Sequence, residues 1–93
     1  MLELTQAEKT MFERGYVSVR MVAAKTGRHH VSIRNDVADH PNDFEVVPHG
    51  NRLKLLSLKS VQRFYGHMFP LLDFDNWGDV IEGWAPAKKA ARR

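Results

Sequence analysis

The tightest constraint on this chain is one glycine set between two short apolar-periodic runs. Before Gly27, the residues Val19, Val22, Ala23 and Thr26 fall at spacings of three and four, which puts them on one helix face. After it, Ile33 and Val37 stand four apart and can close onto that face from a second helix. Gly27 has no Cβ, so it takes a left-handed turn conformation without steric cost. The spacing predicts a first helix over about residues 19–26, N-capped by Ser18, and a second from His30 to about Asp39. Ala23 is small where the two helices would cross closely. With Ile33 and Val37 inward, the second helix turns His30, Val31, Ser32, Arg34, Asn35 and Ala38 outward.

The pattern Ala23-x3-Gly27-x5-Ile33 reads as a helix-turn-helix with its second helix free to present side chains. Val22-Ala23-Ala24-Lys25-Thr26-Gly27 followed by Val31-Ser32-Ile33-Arg34-Asn35-Asp36-Val37 resembles the helix-turn-helix of bacterial and phage winged-helix DNA-binding proteins. It is most similar in character to DeoR-type repressors and to the MerR-like domains of phage excisionases. The resemblance implies a mainly α fold with a small β-hairpin, a winged helix-turn-helix. It departs from that family at Arg28, His29 and His30, where an apolar residue and a Ser or Thr cap often stand.

Charge is uneven in the same place. From Arg14 to Asn35 the chain has five cations (Arg14, Arg20, Lys25, Arg28, Arg34) and no acid. A cationic surface of this kind suits a polyanion, because neutralised phosphates release counterions. The net charge of +3 over 93 residues says less than this distribution.

Arg34 is the expected base contact, since a guanidinium matches guanine O6 and N7 bidentately, and Asn35 matches adenine N6 and N7. Ser32 and His30 are expected on base edges or backbone. Lys25, Arg28 and His29 stand near the start of the second helix, where amides and cations favour phosphate. Asp36 and Asp39 are expected to face away, with Asp36 paired to a nearby cation.

Upstream, Thr5-Gln6-Ala7-Glu8 is a capping box that opens a short helix ending at Gly15. Met11 and Phe12 would pack it onto the domain, and Tyr16-Val17 forms a short strand beside a later hairpin. Downstream, His40-Pro41 stops the second helix, because a residue before proline is pushed out of the helical region. Residues 44–47 read as a strand, 48–52 as a hairpin loop tipped by Gly50-Asn51, and 53–58 as the returning strand. Alternation puts Phe44 and Val46 inward with Leu53 and Leu55, and Pro48 belongs near the end of an edge strand. A hairpin directly after a recognition helix is a wing. It spans about residues 48–54 and offers His49, Asn51, Arg52 and Lys54 to flanking backbone. By resemblance, Arg52 touches backbone or enters the minor groove. Ser57 or Ser60 caps a last helix to about Met68, with Val61, Phe64, Tyr65 and Met68 as its apolar stripe.

Pro70 marks a change of character. The segment LLDFDNWGDVIEGW holds four acids and no cation. Trp77, Ile81 and Trp84 would share one side of a short helix that Gly78 and Gly83 weaken, and Phe74 joins them as an expected oligomer or partner contact. Such anchors need something to cover them: this domain, a second copy or another protein. The expected organisation is a winged helix-turn-helix domain over 1–69, an acidic aromatic docking or oligomerisation segment over 70–84, and a basic disordered tail over 85–93.

Several classes are disfavoured. The chain has no cysteine, hence no disulfide framework and no thiolate metal site. His29 and His30 are adjacent and diverge on a helix, and no HxxxH or HExxH spacing occurs, so no metal, cofactor or catalytic set is expected. The N-terminus MLELTQAEK has neither a basic flank nor a long apolar run, so no secretory signal and no membrane span are expected, and the chain reads as cytoplasmic.

The expected function is sequence-specific binding of double-stranded DNA by a homo-oligomer. A phage or mobile-element transcription regulator or a recombination directionality factor fits, and a DNA-packaging subunit belongs to the same class. The mechanism inserts residues 30–38 into the major groove. The alternative is a protein-interaction module on the same scaffold that binds a host or phage protein through residues 71–84.

Overall fold

Side-chain caps set where the helices begin. The computed structural model describes residues 2–49 and 53–84. Thr5 accepts from the Glu8 amide at 3.2 Å while Glu8 accepts from the Thr5 amide at 2.9 Å, which closes the capping box and opens α1 (Gln6–Glu13). Ser18 ends β1 (Tyr16–Ser18) and caps α2 (Val19–Thr26). Gly27 terminates α2 at φ 75°, its amide donating to Ala23 O, and the chain turns at once into α3 (His30–Asp39). Ser57 caps α4 (Leu58–Met68) through the Ser60 amide.

The strands β2 (Val46–His49) and β3 (Leu53–Ser57) pair antiparallel, with Val46 opposite Leu56 and His49 opposite Leu53. The short β1 adds to the other side of β3, with Val17 opposite Leu56. The sheet order is therefore β1-β3-β2. Among the described residues the chain is a compact α/β domain of four helices and one three-stranded antiparallel sheet.

The hairpin departs from expectation by two residues. Pairing begins at Val46 rather than Phe44 and runs on through Pro48 to His49. Pro48 is tolerated because β2 is an edge strand, where a missing amide leaves no ladder bond open. Phe44 precedes the strand yet is 6% exposed, packed against Phe64 and Tyr65 of α4. Val46, expected inward, is 39% exposed.

The core joins Val17, Met21, Val22, Ile33, Leu56, Val61 and Tyr65 with Phe74, Trp77 and Ile81. Residues 70–84 are thus part of the domain rather than an appended segment. They do not form the expected helix. The Asp73 and Asn76 side chains each accept from an amide two residues on, at 2.9 Å, and these local bonds compete with a helical ladder that Gly78 and Gly83 already weaken. The segment is instead fixed by a bridge between Leu2 and Ile81, with Leu2 N donating to Val80 O and Glu82 N to Leu2 O. The apolar stripe of α4 ends early, since Met68 is 45% exposed. None of the described helices is long and apolar enough to cross a membrane.

Candidate nucleic-acid interface

A groove of about 1050 Å³ runs between α3 and the hairpin, with α2 as its floor. His30, Arg34 and Ala38 stand four apart on α3 and form its one wall. Val46 and Lys54 form the opposite wall, and Ala23, Ala24 and Arg20 contribute from α2. His29 also lines the groove. It N-caps α3, Nδ1 accepting from the Val31 amide at 3.2 Å; because the cap residue is extended rather than helical, the two imidazoles of His29 and His30 do not diverge as expected but stack, with centroids 4.4 Å apart.

Electrostatically the groove is cationic. Its one acid among the described residues is Glu8, which is 2% exposed and already compensated. Arg20 donates to it from Nε at 2.8 Å and Nη2 at 2.7 Å, and the Ser18 hydroxyl donates at 2.6 Å. Burial pushes the Glu8 carboxyl up, but hydrogen bonds from Arg20, Ser18 and the Thr5 amide outweigh it and hold the group at about 2. The same Glu8 bonds push the Arg20 guanidinium up against its own desolvation. Arg34 and Lys54 are exposed and make no ion pair with the described residues.

The expected contact residues divide accordingly. His29, His30, Arg34 and Lys54 line the groove. Asn35 is exposed on α3 outside it, and Ser32 is half-buried. Asn51 and Arg52 lie outside the described residues, as does the side chain of His49.

Two cations are corrected. Lys25, expected to face phosphate, has a side chain 2% exposed. Its Nζ donates to Asn76 O at 2.5 Å and to both Asp79 carboxylate oxygens at 3.0 and 3.1 Å, and lies over the Trp77 ring. An ammonium needs such partners to be buried at all. Arg28 is turned inward to Asp36, whose Oδ2 lies 3.0 Å from Nη2, and Asp36 also accepts from the Tyr65 hydroxyl at 2.7 Å. Asp36 thus points away from the outer face, paired as expected. Burial, and then the Asp36 bond, push the Tyr65 hydroxyl far up, so it stays a donor.

The expected docking anchors are also placed. Phe74, Trp77 and Ile81 are 5%, 1% and 4% exposed within their own domain, and Trp84 packs beside them. Trp77 Nε1 donates to Phe74 O at 2.7 Å, so the indole is buried with its polar atom satisfied. Phe74 and Trp77 are thus covered by their own domain, while Trp84 is half-buried. Arg20 lines the groove without having been an expected contact, because its pair with Glu8 spans 12 positions, which no helix periodicity links. Among the described residues no cluster of three metal-ligating side chains occurs. No protein-family model, curated protein or solved structure matches the chain.

Proposed function

We propose that the protein binds double-stranded DNA sequence-specifically, as a winged helix-turn-helix in which α3 is the recognition helix and the β2–β3 hairpin the wing. One observation carries this reading. Arg34 of α3 and Lys54 of β3 face one groove with His29 and His30, and the only described acid there is neutralised by Arg20. Two exposed cations on separate elements, without an ion pair among the described residues, suit a phosphate strand running between them. The contact set is His29, His30, Ser32, Arg34, Asn35 and Lys54. Lys25 and Arg28 hold the scaffold instead.

In this reading α3 enters the major groove. Arg34 takes guanine O6 and N7, or the phosphate beside it, and Asn35 takes adenine. Lys54 and His29 fix the register on the backbone. If two copies bind symmetrically, half-sites stand about 34 Å apart, one helical turn. A regulator, a recombination directionality factor and a packaging subunit share this chemistry.

The test is selection from a randomised duplex pool, with affinity for random duplex titrated against salt. An enriched motif is expected, together with a log–log salt slope of roughly −3 for three to four neutralised phosphates. Absence of binding at low salt would reject the reading.

A further inference from the structure

Val31 is 47% exposed, second only to Leu71 at 97% among the large apolar side chains of the described residues. It stands in the first turn of α3, one turn before the exposed Asn35. In a helix a valine is a weaker former than alanine, and here about half of its surface stays in solvent. It sits next to the groove row His30–Arg34–Ala38 and points out of the protein, as Asn35 does.

We propose that Val31 and Asn35 together determine specificity by reading adenine–thymine sequence, Val31 through the thymine C5-methyl and Asn35 through adenine N6 and N7. This rests on the DNA-binding reading above. The chemistry of the two side chains is selective. An Asn amide carries a donor nitrogen and an acceptor oxygen on one carbon, which adenine N7 and N6 complement. Guanine presents two acceptors there and leaves the amide oxygen unpaired. A valine isopropyl group has no hydrogen bond to offer, so among major-groove features only the thymine methyl gives it apolar surface to cover. Four residues of α-helix advance about 6 Å, against about 3.4 Å per base step, so the two contacts fall on pairs one or two steps apart. Arg34 lies between them in sequence but on the groove side, toward Lys54, where it is free to hold the adjoining guanine or phosphate.

The experiment uses the full chain and the duplex enriched by selection. Each thymine is replaced singly by deoxyuridine, which removes the methyl and keeps base pairing. One such replacement is expected to weaken wild-type binding about three- to fivefold, the effect of losing one buried methyl-sized contact. In V31A that same replacement is expected to have no effect, while N35A keeps the methyl effect and loses preference at the neighbouring adenine. Val31 is exposed and alanine favours helix, so V31A stays folded, which circular dichroism checks. An enriched site that tolerates every deoxyuridine replacement in the wild type overturns the inference and leaves DNA binding standing. So does a methyl effect that persists undiminished in V31A. Failure of any duplex to bind rejects both.

Discussion

Glu8→Gln isolates the ionic centre under the groove. In the folded chain the Glu8 carboxyl is held at about 2, against an ordinary value of 4.5. Through proton linkage that depression corresponds to roughly 3 kcal/mol of stability. Arg20, its principal partner, has a side chain 46% exposed, so solvent screening reduces the expected contribution to about 2 kcal/mol. The sign follows from the direction of the shift. A carboxyl depressed on folding stabilises fully above its unfolded value near 4.5, and the stabilisation is lost as pH falls toward about 2. Urea unfolding followed by the fluorescence of Trp77 and Trp84, from about pH 7 down to about pH 3, reads this directly. E8Q should be less stable than wild type by about 2 kcal/mol at pH 7, and the gap should shrink by more than half by about pH 3. Every other carboxylate is common to both proteins, so the difference between the two curves belongs to Glu8. A gap that stays constant across the range, or one below about 0.5 kcal/mol throughout, would refute the linkage.

Other outcomes follow from the same structure. Lys25→Met removes an ammonium that is 2% exposed, so affinity for duplex DNA should change less than about twofold, whereas Arg34→Ala should cost ~1–3 kcal/mol on the selected site by equilibrium titration. Trp77→Ala empties the largest buried side chain of the core and should cost about 3–5 kcal/mol in urea unfolding followed by circular dichroism. Tyr65→Phe deletes the 2.7 Å bond to Asp36 and should cost about 1–2 kcal/mol by the same assay, with Arg28 still holding Asp36.

What the sequence disclosed was local. The Thr5–Glu8 box, the Ser18 cap, the left-handed Gly27 and the inward Ile33 each rest on residues within a few positions of one another, and each stands in the structure as its spacing implies. The hairpin was legible as a hairpin, but its register was not. Alternation over four residues does not distinguish a strand starting at Phe44 from one starting at Val46, and the edge position that admits Pro48 is a property of the whole sheet. Lys25 departs from its expected place for a related reason. Its partner Asp79 lies 54 residues away, and a cation in the first helix of such a motif looks identical whether it meets phosphate or a carboxylate of its own chain. The acidic aromatic segment was rightly read as needing cover. Its conformation was missed because Asp73 and Asn76 take the amides that a helix would have used.

The most direct test of the central claim is an amide chemical-shift map of the protein titrated with duplex DNA at low salt. Shifts concentrated on residues 29–38 and on the hairpin around Lys54, with residues 71–84 unperturbed, are the predicted result. Shifts centred on residues 71–84, or none at saturating duplex, would contradict it.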